Sequence, residues 1–461
     1  MIEYYLKYNS KNLKTNINKL MVEIETILGI DNIEIETSKE LFYEEVKKII
    51  SEKQYLHLCS LLFTLKKNKH KNIFFEKYFK PNAENIDRKY AFADLFAGCG
   101  GLSLGLEQAG FNGVFVNEID EVFAETHYFN HNIPVSNYFV GDINELVSDF
   151  SKSKVSLKNL DLVCGGPPCQ GFSMANRQRV IDDPRNGLYK SYLKFLQETK
   201  PKFFIMENVK GMANKIDEIL IDFNSYLDNE YSIHYAIFNA KDFGLPQNRE
   251  RFFIIGNRIG IDTKSIFEDI KKEKNETKFV LKNALKELPI LKPKNIKNNN
   301  DIENEDFGFY ITQQKLSSTK YLDYINNSRK INYVFNHKNR YNNERDIEIY
   351  SKLPQGENSL HDSIADIMPY TSRNHMFKDK YYKLDETKVC KTITSHMKFD
   401  CNMYIHPTQS RGLSAREASR VQTFPDDFLL RGSQNKWYAQ VGNAVPVKLA
   451  EIIGKHIIKY L

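Results

Sequence analysis

Between residues 90 and 255 the chain alternates short apolar runs with helix-like segments, and this alternation restricts the fold more than any other feature. Residues 90–96, 114–118, 138–140, 160–164 and 203–206 read as strands, with helices over 102–109, 124–130, 188–198 and 216–227; further strands follow at 235–239 and 252–255. Strands alternating with helices imply an α/β fold, a Rossmann-like, mostly parallel sheet covered on both faces. Residues 1–88 read instead as a helical N-terminal extension, from the spacing of Leu20, Val22, Ile24, Ile27 and Leu28 and of Leu41, Val46, Ile49 and Ile50. The α/β domain is expected over 89–282, completed by 438–461. Residues 283–437 are expected to form a second, smaller domain of short strands and loops.

Six cysteines (Cys59, Cys99, Cys164, Cys169, Cys390 and Cys401) are scattered without Cys-x-x-Cys pairs. No zinc site and no disulfide framework is expected, which points to a reducing cytoplasm and to a protein without a bound metal. The start Met-Ile-Glu-Tyr-Tyr-Leu-Lys lacks the apolar core of a signal peptide. No run approaches the roughly 20 apolar residues that span a bilayer, so no membrane partner is expected. A net charge of +6 is compatible with a polyanionic partner and does not by itself require one.

Chemistry concentrates in Gly165 to Ser173, Gly-Gly-Pro-Pro-Cys-Gln-Gly-Phe-Ser. Two prolines fix φ ahead of Cys169, glycines admit another molecule against the backbone, and the preceding apolar run is a strand. Cys169 is therefore expected on a stiff loop at the carboxyl end of a strand, where open α/β sheets bind ligands. A lone cysteine is more often a small buried hydrophobe, but rigid and polar neighbours favour a nucleophile. The glycine-rich turn after the first strand, Ala97-Gly98-Cys99-Gly100-Gly101, can bring a ligand to a helix N-terminus. Ser103 stands where a dinucleotide fingerprint wants glycine, which counts against a nicotinamide or flavin enzyme. Glu118 after the second strand can take ribose hydroxyls and Asp142 after the third is placed for a purine amine, so the three strand ends together describe a nucleoside-bearing cofactor. Glu207-Asn208 follows another strand and reads either as a helix N-cap or as an acid beside Cys169. Arg249 and Arg251 face one side if their segment is extended; a solvated charged face is the plainer reading.

In order along the chain, these residues resemble the DNA cytosine-5 methyltransferase family. The resemblance rests on the glycine-rich turn, Asn117-Glu118, Gly141-Asp142-Ile143, Pro167-Pro168-Cys169-Gln170, Glu207-Asn208-Val209 and Gln247 to Arg251, then Arg411 to Ala418 and Val441 to Pro446. It implies S-adenosyl-L-methionine as cofactor and a cytosine flipped out of double-stranded DNA as substrate, with a bacterial restriction–modification setting and a monomeric protein. By this resemblance Cys169 adds to carbon-6 of the base, Glu207 holds ring nitrogen 3 and the exocyclic amine, and Arg249 and Arg251 complete the catalytic group. Phe96, Gly98, Gly100, Glu118, Ile119, Asp142, Ile143, Pro168, Leu188 and Asn443 are expected around the cofactor. Ile119 departs from the aromatic that many relatives carry there, which puts the adenine packing in doubt. Arg177, Arg179 and Arg185 could clamp phosphates, and 283–437 would be the target-recognition domain. Two alternatives are a tRNA cytosine-5 methyltransferase on the same scaffold and a catalytically silent DNA-binding relative. The long block over 283–410 and Gly171 after Gln170 favour DNA, and the presence of Cys169, Glu207 and Arg251 favours an enzyme.

Overall fold

Along the central strands, successive apolar side chains join different clusters. Phe203 and Ile205 belong to one apolar cluster and Phe204 and Met206 to another; Phe253 and Ile255 against Phe252 and Ile254 repeat the pattern. A period of two sends neighbours to opposite faces, and when both sets are apolar the sheet must be covered on both sides. The computed structural model describes residues 89–133, 137–153, 155–168, 187–275, 279–297, 302–314, 316–331, 333–369 and 379–461. Residues 1–88, where the helical extension is expected, lie outside that set.

The strands that position the site are Tyr90–Leu95 (β1), Phe111–Glu118 (β2), Tyr138–Val140 (β3), Leu162–Gly165 (β4), Phe203–Val209 (β5), Ser232–Asn239 (β6), the two-residue Gln247–Asn248 (β7) and Glu250–Asn257 (β8). Among the described residues, seven of them form one sheet in the order β3-β2-β1-β4-β5-β8-β6. The pairs β1–β2, β2–β3, β1–β4 and β4–β5 are parallel. β8 runs antiparallel to both β5 and β6. This is the mostly parallel α/β sheet expected from the sequence. Its consequence is positional: the carboxyl ends of β1 to β5 share one edge, and the reversed β8 brings its amino end to that edge, with Arg251 opposite Val209.

Local chemistry sets where the helices begin. Helix α1 (Gly101–Ala109) lies between Gly100 and Gly110, both left-handed at φ 93° and 114°, a conformation glycine adopts without steric cost. Helix α2 (Glu121–Asn130) starts where Asp120 accepts from the N–H groups of Val122 and Phe123, and α3 (Ile143–Ser148) where Asp142 accepts from Asn144. The C-terminal helix Val447–Ile458 lies against α1. A methyl group at Gly105 would fall 2.4 Å from Ala450 Cβ and 2.5 Å from the Val447 carbonyl oxygen, so only glycine permits this approach. The end of the chain thus completes its first strand–helix unit.

A third apolar cluster runs from Cys99 through Leu281, Tyr404, Leu413 and Phe424 to Val441. Fully buried arginines frame it. Arg411 pairs with Glu417 at 2.6 Å, and Arg420 with Asp426 at 2.6 Å. Ser414 and Glu417 exchange reciprocal caps at the start of helix Ala415–Val421. Among the described residues no helix is long and apolar enough to cross a membrane, and no group of three His, Cys, Asp or Glu side chains could hold a metal ion.

Candidate active site

At the shared sheet edge, β1 turns out of the sheet through Phe96, which sits at φ 56°. That value is rare for a bulky L-residue and marks local backbone strain. A Cβ built on Gly98 (φ 58°) would meet no atom within 4 Å, so the turn is open on that side. One built on Gly100 would fall 2.2 Å from His131 Nε2. The turn is therefore open at Gly98 and tightly packed at Gly100.

Glu118 ends β2 beside this turn. Its Oε2 accepts the Gly98 N–H at 2.7 Å and its Oε1 the Asp120 N–H at 2.8 Å. The Ile119 N–H also supports the carboxylate; of about four lone-pair sites, one remains for a hydroxyl donor. Ile119, the next residue, is 68% exposed, a large apolar side chain without cover. Asn117 donates to the Phe139 and Gly141 carbonyls and fixes the end of β3. Asp142 uses Oδ1 to cap α3. The Ile143 side chain is buried in the core; what it can offer a ligand is main chain.

Leu188 opens the helix Leu188–Thr199 (α4), half-buried. Asn443 ends the helix Gln434–Asn443 and is exposed. Next to it, a methyl on Gly442 would lie 2.1 Å from the Ser395 nitrogen, and one on Gly101 would lie 2.6 Å from the Val445 carbonyl oxygen. The segment 442–445 is thus wedged between the glycine-rich turn and residues 394–395.

The loop after β4 leans on β5. Asn208 Nδ2 donates to the Pro167 carbonyl at 2.8 Å, and a methyl on Gly166 would lie 3.1 Å from Glu207 Oε2. Pro168 is exposed. Cys169, Arg177, Arg179 and Arg185 lie outside the described residues. The Glu207–Asn208 pair sits within β5, so the N-cap alternative is discarded. Glu207 Oε1 lies 2.8 Å from Arg251 Nε. Burial raises the Glu207 carboxyl above the usual carboxylate range, against the pull of Arg251 and Arg249. Burial also lowers Arg251, against the pull of Glu207. For both members of the pair, removal from water outweighs pairing. Glu207 consequently holds a proton to higher pH than a surface glutamate.

The described cysteines hold theirs tightly. Cys99, Cys164, Cys390 and Cys401 are all buried. Burial pushes the thiols of Cys99 and Cys390 up to about 12 and raises those of Cys164 and Cys401. Only the thiolate attacks, so these four are poor nucleophiles at neutral pH.

A family model for C-5 cytosine-specific DNA methylase matches residues 90–459. The chain belongs to that family. M.DdeI, a type II methyltransferase of Desulfomicrobium norvegicum, is 30% identical over 387 residues, which span 80% of this methylase and 88% of the relative. M.MthTI, a type II methyltransferase of Methanothermobacter thermautotrophicus, is 31% identical over 375 residues, spanning 80% and 97%. A crystal structure described as a DNA modification methyltransferase encoded within an E. coli prophage shares the fold with a TM-score of 0.61 and 26% identity, covering 80% of this chain and 99% of that one. The methylase is a DNA cytosine-5 methyltransferase, from a family that works through a covalent cysteine adduct and depends on S-adenosylmethionine.

The two arginines differ in their contacts. Arg249 and Arg251 both act on the Glu207 charge, but only Arg251 is bound to it. Arg249 is fully buried and donates to three main-chain carbonyls, those of Ile393, Gly442 (2.9 Å) and Ala444 (2.8 Å). It ties the start of β8 to the 442–445 wedge; Arg251 is the one bound to Glu207. Two further groups were missed. Asn208, which anchors the loop ahead of Cys169, was visible only as half of a Glu-Asn pair. Gln247 accepts the Ile393 N–H at 2.9 Å and donates to Gln422 Oε1 at 2.8 Å, and nothing local announces either partner.

Proposed function

We propose that this methylase modifies carbon-5 of a cytosine in a specific duplex DNA site, with Cys169, Glu207 and Arg251 as its reacting group. The observation that carries the reading is the docking of Gly166 and Pro167 on Glu207 and Asn208. It supports an acid beside the chain segment that leads directly into Cys169. Carbon-5 of cytosine is a weak nucleophile. Addition of the Cys169 thiolate to carbon-6 converts the ring to an enamine and divides one difficult step into easier ones. A protonated Glu207 donates to ring nitrogen 3 as negative charge develops there, and Arg251 holds the carboxyl in place. Once carbon-5 carries the methyl group, departure of its proton expels the Cys169 thiolate, ring nitrogen 3 returns its proton to Glu207, and the aromatic ring is restored. The base must leave the helical stack first, at a cost of a few kcal/mol.

S-adenosylmethionine, when bound, supplies an electrophilic methyl group. The open turn at Gly98, the remaining acceptor position of Glu118, the uncovered Ile119 and the cap residue Asp142 fit such a molecule: glycine for close approach, a carboxylate for a ribose hydroxyl and an apolar side chain for a purine face. Phe96, Gly100, Pro168, Leu188 and Asn443 complete the proposed pocket, with Ile143 contributing main chain. Residues 283–437 act as the target-recognition domain. The type II relatives support a partnership with a restriction enzyme that the modification blocks.

Transfer of labelled methyl from S-adenosylmethionine to duplex DNA, compared with tRNA, tests the reading. Incorporation into DNA at one mapped cytosine context is expected; incorporation into tRNA alone would overturn it.

A further inference from the structure

Phe399 is 64% exposed, although the turn that presents it is held by hydrogen bonds and close packing. A single exposed apolar residue is ordinary; one on a well-held turn with a lysine over its ring needs a reason. The turn Ser395–Lys398 is a short 3-10 helix whose Met397 is buried. Arg340 donates to the Met397 carbonyl at 2.7 Å and to the Phe399 carbonyl at 2.9 Å, while its guanidinium lies over the Tyr438 ring at 5.4 Å. Upstream, Gln247 and Arg249 hold the N–H and carbonyl of Ile393, and Gly442 presses on the Thr394–Ser395 peptide. Downstream, Cys401 packs so close to Gly412 that a methyl there would fall 2.2 Å from its Cβ. The backbone is fixed on three sides and only the tip faces outward.

That tip is cationic and aromatic. Lys398 Nζ lies 4.8 Å from the centre of the Phe399 ring, and the exposed His396 ring meets it edge-on at 5.4 Å. Lys380 interacts with Asp400, the residue after Phe399, and with Arg345, which lies 3.6 Å from Asp346. Cations beside an exposed ring are the chemistry of a nucleic-acid contact, the cations for phosphates and the ring for a base edge. Reach agrees. Phe399 lies six positions after Ile393, at most roughly 20 Å of chain, and Ile393 touches Arg249, two residues from Arg251 of the Arg251–Glu207 pair. At about 3.4 Å per base pair, the tip can meet only pairs close to the modified base.

We infer that the Ser395–Phe399 turn is a sequence-reading element of this methylase, in which Phe399 makes apolar contact with a base pair flanking the target cytosine and Lys398 neutralises an adjacent phosphate. The inference rests on the proposed assignment of 283–437 to target recognition and names the residues that perform it. The full chain carrying Phe399→Ala or Lys398→Gln, assayed on a duplex library randomised around the modified cytosine and read by bisulfite sequencing, tests it. Phe399→Ala is expected to melt at the wild-type temperature, to raise KM for DNA on the order of tenfold with a far smaller change in kcat, and to relax the preference at one position of the site. Lys398→Gln is expected to weaken all sequences alike and to reduce the slope of log K against log salt by about 0.9. If Phe399→Ala keeps both KM and every positional preference within about twofold of wild type, the inference is wrong. Failure of the unaltered protein to methylate duplex DNA would instead overturn the parent reading.

Discussion

Glu207 Oε1 and Arg251 Nε are 2.8 Å apart, on neighbouring antiparallel strands that meet at the edge where the loop to Cys169 leaves the sheet. Burial pushes both toward their neutral forms. A carboxyl raised in this way keeps its proton to higher pH than an exposed one, which is what the proposed donation to a bound base requires.

If the protonated carboxyl is the working form, kcat/KM falls as pH rises through the raised Glu207 pKa. Glu207→Gln keeps an acceptor for Arg251 and removes the transferable proton. It is expected to lower kcat by roughly 10²-fold or more, to abolish that alkaline limb and to leave thermal stability nearly unchanged. A pH–rate profile with an intact limb in the variant would remove Glu207 from this role.

Arg249 should behave as a strut. Arg249→Met removes a donor from the buried carbonyls of Ile393 and Gly442, at a cost of ~1–3 kcal/mol for each unsatisfied group, while Ala444 keeps the Gln422 Nε2 donor at 3.2 Å. A drop in melting temperature of several degrees is expected, whereas Arg251→Ala should lose turnover with a smaller loss of stability. Thermal melts of the two variants beside their kcat values distinguish the roles.

Gly442→Ala puts a methyl 2.1 Å from the Ser395 nitrogen, inside a backbone–backbone contact that cannot yield. About 1–3 kcal/mol of destabilisation is expected from overpacking. Because the displaced segment includes Asn443, binding of S-adenosylmethionine measured by calorimetry should weaken as well.

Asp94 lies fully buried beneath the glycine-rich turn, accepting from Ser103 Oγ at 2.6 Å, with His127 Nε2 3.0 Å from the same hydroxyl. Burial pushes its carboxyl up from 3.8 to about 7. Between these values the unfolded chain gives up a proton that the folded chain keeps, so this group favours folding below about pH 4 and loses that contribution as pH rises to 7. Asp94→Asn removes the dependence. Its melting temperature relative to wild type should climb from pH 5 to pH 8, and chemical denaturation across that range measures it.

The sheet was legible because its strands announce themselves locally: 203–206 and 252–255 are continuous apolar runs bounded by polar turns. The direction of β8 was not, since it depends on pairing with β5 and β6 and not on anything within Glu250–Asn257. Glu118 and Glu207 could be picked out because strand ends at one edge of a parallel sheet converge whatever the remaining sequence. The main-chain role of Arg249 was not legible because its partners lie 144, 193 and 195 residues away; what could be read locally was its place two residues from Arg251. Phe399 gave no signal either, since an aromatic among lysines reads as core or surface until the carbonyls held by Arg340 show which way the turn faces.

Duplex DNA carrying 5-fluorocytosine at the target position tests the central chemistry most directly, because fluorine at carbon-5 cannot depart as a proton does and the adduct cannot resolve. Incubation with S-adenosylmethionine should give a complex of full chain and DNA that survives denaturing electrophoresis, and Cys169→Ser should give none. An equal yield of that complex from Cys169→Ser, or methylation by it at the wild-type rate, would contradict the account.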